Sequence, residues 1–184
     1  MIAYAITDPS TLDFNHLEEE LRRFSSKASM IVYRDKETTQ YENNAKAFLA
    51  SAKYFNKVLL HRDYILASRL KADGIHLTSR QMHDIKKAKA LGLFVVISAH
   101  TLEEVKQAEH EGADMVTFSP IFDSPNKGEA LGLKILQNTL ALVTIPVIAL
   151  GGIITQEHID SCAKVGVSGF ASIRYFDNDD LSSV

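Results

Sequence analysis

Two glycines that directly follow a short apolar run are the first feature of this sequence that could do chemistry. Residues 146–150 predict a buried strand that leads into Gly151 and Gly152, and a second apolar run near the C-terminus leads into Ile173 and Arg174. Glycine has no Cβ, so a phosphate oxygen can approach the backbone N–H groups closely. We therefore predict a phosphate-binding site at these four residues. A tight turn that needs glycine only for its backbone angles is the alternative.

Cationic side chains follow other predicted strands of the chain. Arg34 and Lys36 lie two positions apart at one strand end, and Arg62 follows the next strand. Together with Lys127 and Arg174 they could bind several phosphate oxygens or a carboxylate. For Arg62 and Arg174 a role as solvated charges at the rim is an equal alternative.

One of the seven histidines is placed where an imidazole could transfer protons. His61 ends a predicted strand beside Arg62, and a neutral imidazole there could serve as a general acid or base. His76 lies within a predicted strand, where it is expected to satisfy a buried hydrogen bond. His100 precedes the predicted helix cap Thr101, so we interpret it as structural.

Composition excludes several other classes of site. Cys162 is the only cysteine, which excludes an intramolecular disulfide and a cysteine-rich zinc site. Carboxylates are scarce at the predicted strand ends, and Asp8 and Asp63 do not form a convincing metal-binding pair. The net charge of −3 provides no long-range attraction to nucleic acid. With no visible signal peptide or membrane-length apolar run, we expect a soluble cytoplasmic protein with no membrane partner.

The elements that must position these residues alternate regularly along the chain. Eight short apolar runs alternate with helical patterns, and their continuous hydrophobicity is typical of parallel strands buried on both faces. This pattern predicts an α/β fold, a (β/α)8 TIM barrel formed by one domain over residues 1–184. A doubly wound sheet is the alternative, and the lack of a G-x-G-x-x-G after the first strand counts against it.

The end of the chain is short for such a barrel. About ten residues follow the last predicted strand, and they include the polar stretch 177–180. We therefore expect the last helix to be reduced or missing. An apolar strip on the barrel would then be exposed, which predicts a homodimer.

Six segments resemble the thiamine phosphate synthase/TenI superfamily, and the resemblance covers nearly the whole chain. The segments are Ala-Ile-Thr-Asp at 5–8, Val-Tyr-Arg-Asp-Lys at 32–36, Ala-Asp-Gly-Ile-His-Leu at 72–77, Ser-Ala-His-Thr-Leu-Glu-Glu at 98–104, Ser-Pro-Ile-Phe-Asp-Ser-Pro-Asn-Lys at 119–127 and Pro-Val-Ile-Ala-Leu-Gly-Gly at 146–152.

The resemblance implies a barrel that handles a phosphorylated thiazole. Synthases of this superfamily join it to a pyrimidine pyrophosphate with Mg²⁺ and release pyrophosphate, whereas TenI-type members lack that activity and some are thiazole tautomerases. By this resemblance Arg34 and Lys36 face the pyrophosphate, and Ser98 and Lys127 line the centre. Gly152, with Ile173 and Arg174, would hold the thiazole phosphate.

Departures from the family pattern fall on the groups that bind the metal. One metal-binding aspartate aligns with Arg62 and the other with Gln81. Because Mg²⁺ needs oxygen ligands such as carboxylates, the change should abolish ordinary Mg²⁺ binding. No cofactor is therefore expected, and Mg²⁺ is expected only if the protein is a true synthase. The catalytic histidine of the tautomerases aligns with Pro120, which leaves His61 as the only nearby substitute.

Further departures affect the loop that precedes Lys127 and the strand ends. The family glutamine aligns with Val32, two threonines align with Ser124 and Asn126, and a serine aligns with Arg174.

The chain thus offers candidate residues for three roles. The catalytic candidates are His61, Lys36 and Arg34. The substrate-binding candidates are Arg62, Ser98, Ser119, Ser124, Asn126 and Lys127, and the phosphate-binding candidates are Gly151, Gly152, Ile173 and Arg174.

Three functions are compatible with these residues. A TenI-type enzyme that moves a proton on a thiazole phosphate is favoured, together with a non-catalytic protein that binds thiazole phosphate or thiamine phosphate. A divergent synthase, in which Arg62 replaces part of the metal's role, is less favoured. All three predict a small phosphate compound as the partner.

Overall fold

Eight parallel strands form the centre of the molecule in a computed structural model, which describes residues 1–125 and 128–177. The strands pair in chain order and the last strand pairs with the first, so the sheet closes into a barrel. The predicted (β/α)8 architecture is therefore confirmed. The strands are β1 Ile2–Ile6, β2 Met30–Tyr33, β3 Lys57–His61, β4 Gly74–Leu77, β5 Phe94–Ala99, β6 Met115–Phe118, β7 Val147–Leu150 and β8 Gly169–Ser172.

Helices follow the strands and cover the outside of the barrel. They are α1 Leu17–Ser25, α2 Tyr41–Ser51, α3 Tyr64–Arg69, α4 Ile85–Ala90, α5 Leu102–Glu111, α6 Gly132–Leu140, α7 Gln156–Lys164 and α8 Arg174–Asp177, with 3₁₀ turns at Phe14–His16 and Ser79–Asp84. Within the described ranges, no helix combines the length and apolar character needed to cross a membrane.

Two layers of apolar side chains explain why the strands are continuously hydrophobic. The inward-facing layer fills the barrel and includes Tyr4, Met30, Leu59 and Ile148, all at most 5 % exposed. The outward-facing layer packs against the helices. Filling of the interior by side chains makes the barrel a solid core, so ligands can bind only at its ends.

Side chains cap the N-termini of helices that begin soon after a strand. The Thr101 side chain caps α5 by accepting a hydrogen bond from the Glu104 N–H, and the Glu104 carboxylate accepts one from the N–H of His100, the residue before the cap. Asp63 caps α3 by accepting from the Leu66 N–H at 2.9 Å.

The last described helix has four residues, as expected for a reduced element, yet it covers β8. Phe176 is 1 % exposed and stacks on Phe170 with 5.6 Å between ring centroids. Arg23 of α1 donates to the carbonyl oxygens of Phe176 and Asp177. Phe170 is itself only 5 % exposed, so the strip that we expected to be exposed is covered here. The homodimer stays a prediction, and a monomer in sedimentation equilibrium at micromolar concentration would contradict it.

Candidate active site

A cavity of about 460 Å³ opens at the carboxyl ends of the strands, where TIM barrels carry their active sites. It brings together ten of the residues predicted from the sequence. These are Arg34, Lys36, His61, Ser98, Ser119, Ser124, Gly151, Gly152, Ile173 and Arg174. Asp8, Thr78, Ser79 and His100 also line it. The candidates Asn126 and Lys127 lie outside the described residues.

Two strand ends are tied together beside Arg34. The Thr7 hydroxyl donates to the Val32 carbonyl oxygen at 2.9 Å and accepts from the Arg34 N–H at 3.1 Å. The end of β1 therefore fixes the backbone on which Arg34 leaves β2. Sequence reasoning did not identify this role of Thr7, because it depends on the pairing of β1 with β2.

Tyr41 ties the next pair of strands. Its hydroxyl donates to the Tyr33 carbonyl oxygen at 2.9 Å and accepts from the His61 N–H at 3.0 Å. Burial raises the pKa of Tyr41, so the phenol keeps the proton that it donates. The exit of β2 toward Arg34 and the end of β3 at His61 are thus held in register by one side chain from α2.

His61 lies at the wall of the cavity with its ring largely buried. Burial, the nearby His76 ring and the charges of Arg34, Lys36 and Arg62 lower the pKa of His61 from 6.5 to about 2. The imidazole is therefore neutral near pH 7. A neutral ring can both donate and accept a proton at the cavity.

His76 lies deeper in the barrel and connects to the cavity through Ser98. Its Nδ1 is 2.8 Å from the Tyr4 hydroxyl oxygen, and its Nε2 is 3.1 Å from Ser98 Oγ. Burial and the charge of Arg34 lower the pKa of His76 to about 3. The predicted buried hydrogen bond of His76 is confirmed.

His100 contributes a second imidazole to the cavity wall. Its Nδ1 donates to the Ser119 carbonyl oxygen at 2.9 Å, since a carbonyl can only accept. This bond joins the ends of β5 and β6, which agrees with the structural role predicted for His100. With Nδ1 protonated, a neutral His100 keeps Nε2 as an acceptor, a property that the sequence did not reveal.

The two positions that align with metal-binding aspartates are bonded to each other. The Gln81 side-chain amide donates to the Arg62 carbonyl oxygen at 2.9 Å, and its oxygen accepts from the Thr78 N–H at 3.2 Å. The Arg62 backbone has a φ of 71°, and its side chain is exposed and does not line the cavity. Arg62 therefore lies beside the candidate site rather than in its wall.

These residues do not fit a magnesium ion. One position offers a guanidinium, and the amide of the other is occupied by protein groups. Across residues 1–125 and 128–177, no group of three or more histidine, cysteine, aspartate or glutamate side chains could hold a metal. Mg²⁺ is commonly held by one or two carboxylates together with substrate phosphates, and neither Arg62 nor Gln81 supplies a carboxylate.

The glycines after β7 are needed because another loop packs against them. A Cβ on Gly151 would lie 2.7 Å from Pro120 Cα, and one on Gly152 would lie 2.6 Å from the Asp123 carbonyl oxygen. Both residues have positive φ angles, 97° and 70°. The turn interpretation thus explains why glycine is required, and it leaves the phosphate-binding interpretation compatible with the structure.

The two loops predicted to hold phosphate are joined by Ser172. Its hydroxyl donates to the Ile153 carbonyl oxygen at 2.7 Å and accepts from the Tyr175 N–H at 3.1 Å. Among the described residues, no group accepts a hydrogen bond from the N–H groups of Gly152 and Ile173. These N–H groups can therefore donate to an anion in the cavity.

Comparisons with known proteins agree with this geometry. A family model described as thiamine monophosphate synthase matches residues 3–176. An Aquifex aeolicus protein named "Putative thiamine-phosphate synthase 2" is 38 % identical over 179 residues, which cover 94 % of this chain and 96 % of that protein. A thiamine-phosphate synthase of Caldivirga maquilingensis is 33 % identical over 177 residues, 92 % of this chain and 85 % of that protein.

A solved structure has the same fold over almost the whole chain. Thiamine phosphate pyrophosphorylase from Pyrococcus furiosus superposes with a TM-score of 0.81 and 27 % identity, covering 97 % of this chain and 89 % of that one. The fold, the cavity and these relatives together show that the chain belongs to the thiamine phosphate synthase/TenI superfamily.

Proposed function

We propose that this protein binds a thiazole phosphate at the carboxyl end of the barrel and moves a proton on it without a metal, as TenI-type members do. The observation that carries this proposal is the hydrogen bond from the Gln81 amide to the Arg62 carbonyl oxygen. This bond joins the two residues that stand where a synthase would need carboxylates. The superfamily membership supports a phosphate ligand of thiamine biosynthesis, and we propose a cytoplasmic location on the same ground.

The phosphate would bind between the loops that follow β7 and β8. The N–H groups of Gly152 and Ile173, which have no acceptor among the described residues, support this placement. Gly151 allows the close packing of the loop, and Arg174 lies at the cavity wall. A dianionic phosphate favours several N–H donors and a guanidinium. Ser119 and Ser124 would contact the ring, and we keep Ser98, Arg62, Asn126 and Lys127 as candidate substrate contacts.

Proton transfer would involve His61, flanked by Arg34 and Lys36. In the free protein burial lowers the pKa of His61 to about 2, and these cations add to the effect, so the ring is a weak base. An anionic ligand beside the same cations offsets their charge, so binding raises the pKa of His61. The imidazole thus becomes a better base only when the substrate is present.

The first experiment mixes the protein with thiazole phosphate, the pyrimidine pyrophosphate and Mg²⁺, and measures thiamine phosphate. We expect no product, while the protein binds thiazole phosphate and exchanges a ring-bound proton with deuterated water. Addition of EDTA should leave that exchange unchanged. Abundant thiamine phosphate would instead establish the synthase, which is the second candidate because the relatives carry that name.

The role of His61 is tested by substitution. His61→Ala should lose proton exchange by about 100-fold, a typical contribution of general acid–base catalysis, and should keep binding thiazole phosphate. His110→Ala, at an exposed position of α5, is the matched control and should behave like the unchanged protein. Equal loss of binding and exchange would show a binding role for His61, and binding without any exchange in the unchanged protein would favour the non-catalytic alternative.

A further inference from the structure

A chain of three polar side chains runs from the middle of the barrel to the cavity. Tyr4 of β1 is 0 % exposed, and its hydroxyl oxygen is 2.8 Å from His76 Nδ1. His76 of β4 is 4 % exposed, and its Nε2 is 3.1 Å from Ser98 Oγ of β5. Ser98 lines the cavity, whereas Tyr4 lies in the apolar layer that fills the barrel. The first bond joins β1 to β4 across the barrel, and the second joins the neighbouring strands β4 and β5.

The burial of Tyr4 decides which nitrogen of His76 carries the proton. Burial raises the pKa of Tyr4 well above its ordinary value, so the hydroxyl remains a donor. In the described part of the chain, only His76 Nδ1 accepts its hydrogen. A buried donor left without an acceptor is destabilising. Nδ1 must therefore accept, and the neutral ring carries its single proton on Nε2.

The proton on Nε2 then determines what Ser98 can do. Nε2–H donates to Ser98 Oγ at 3.1 Å, and Thr117 Oγ1 lies farther away at 3.5 Å. Once Ser98 Oγ accepts from the ring, the hydroxyl hydrogen of Ser98 is left to point away from His76. Because Ser98 lines the cavity, the hydrogen can be donated to a ligand.

We propose that Tyr4 and His76 are positioning residues that fix Ser98 as a hydrogen-bond donor to an anionic oxygen of the bound ligand. If the proton of His76 were on Nδ1 instead, Ser98 would donate its hydrogen to Nε2 and could offer the ligand only its lone pairs. Such an arrangement would disfavour an anion. The class of ligand rests on the proposed function, whereas the proton position on His76 follows from the hydrogen bonds alone.

The proton position can be measured in the unchanged protein without any ligand. NMR correlation of the histidine ring nitrogens near neutral pH should show His76 with an unprotonated Nδ1 and a protonated Nε2. Loss of these signals in a His76→Gln variant assigns them. A proton on Nδ1 would overturn the proposal whether or not the protein acts on thiazole phosphate.

Variants test the two links of the chain separately, with inorganic pyrophosphate as the probe of an anionic oxygen. Ser98→Ala should bind it about 10-fold or more weakly, since it loses a hydrogen bond to a charged group. Tyr4→Phe should show His76 protonated on Nδ1 in some molecules and on Nε2 in others. If half the molecules keep the proton on Nε2, the affinity for pyrophosphate should fall about twofold. The exposed control Tyr54→Phe should change neither signal nor affinity.

Two results would contradict the proposal in these variants. Unchanged pyrophosphate affinity in Ser98→Ala would show that Ser98 does not donate to the anion. A single Nε2-protonated form in Tyr4→Phe would show that Tyr4 does not set the proton position. Failure of thiazole phosphate exchange alone would overturn the proposed function and leave this inference standing.

Discussion

His61 and His76 beneath the cavity show how placement changes the chemistry of a residue. Their pKa values fall to about 2 and about 3, chiefly because burial disfavours the charged ring. In the unfolded chain both would titrate near the ordinary value of 6.5. Below that pH the two histidines bind protons in the unfolded chain but stay unprotonated in the folded chain. Stability is therefore greatest above about pH 6.5 and falls as the pH drops toward the folded values.

This linkage can be tested with one substitution. His61→Gln removes one of the two protons taken up on unfolding, so its stability should fall about 1 kcal/mol less than that of the unchanged protein between about pH 6 and pH 5. Urea unfolding at the two pH values measures the difference. His110→Gln removes an exposed ring and should retain the full pH dependence. A His61→Gln profile parallel to that of the unchanged protein would mean that folded His61 is protonated in this range.

At the scale of elements, side chains between strand ends hold the candidate site together. Thr7 joins β1 to β2, Tyr41 joins β2 to β3, and Ser172 joins the loops after β7 and β8. The loops themselves are also packed closely, as the contacts around Gly152 show. The cavity is thus shaped by links between neighbouring units of the barrel.

A pair of glycine substitutions separates backbone strain from loop packing. Gly166 has a φ of 92° and open space around its missing Cβ, whereas Gly152 has a φ of 70° and would place a Cβ against Phe122 and Asp123. Gly166→Ala should lower the free energy of unfolding by about 1 kcal/mol through strain alone. Gly152→Ala should cost a further 1–3 kcal/mol, roughly, through the clash. Equal losses in urea unfolding would show that the loops separate easily.

At the scale of the whole molecule, we expect α8 to stabilise the closed barrel. Phe176 packs on Phe170 beside the seam between β8 and β1, and Arg23 holds the helix through its carbonyl oxygens. Phe176→Ala should lower the free energy of unfolding by about 3–5 kcal/mol, since a fully buried aromatic ring is lost. Thermal unfolding measures this effect, with Phe14→Ala at a partly exposed position (36 %) as the control. A similar, small loss in both variants would show that α8 does not contribute to closure.

The sequence by itself determined the architecture and most of the cavity wall. Continuous apolar strands that alternate with helices can bury both faces only in a covered parallel sheet, and eight such units favoured a closed barrel. Polar residues at strand ends then had to meet, because the carboxyl ends of parallel strands lie on one side. Arg34, His61 and Gly152 were identified in this way. The absence of carboxylates at Arg62 and Gln81, where the family resemblance places metal-binding aspartates, was also visible without a structure.

Only the tertiary structure decided contacts between residues that are distant in sequence, because they depend on strand register and on how the chain folds back on itself. It placed the Arg62 side chain outside the cavity wall and bonded its carbonyl oxygen to Gln81. It folded Phe176 back onto Phe170, where polarity of the following residues had suggested exposure. It also joined Tyr4 to His76 across 72 positions of sequence. Such bonds arise from barrel closure, which brings side chains together at distances that local patterns do not encode.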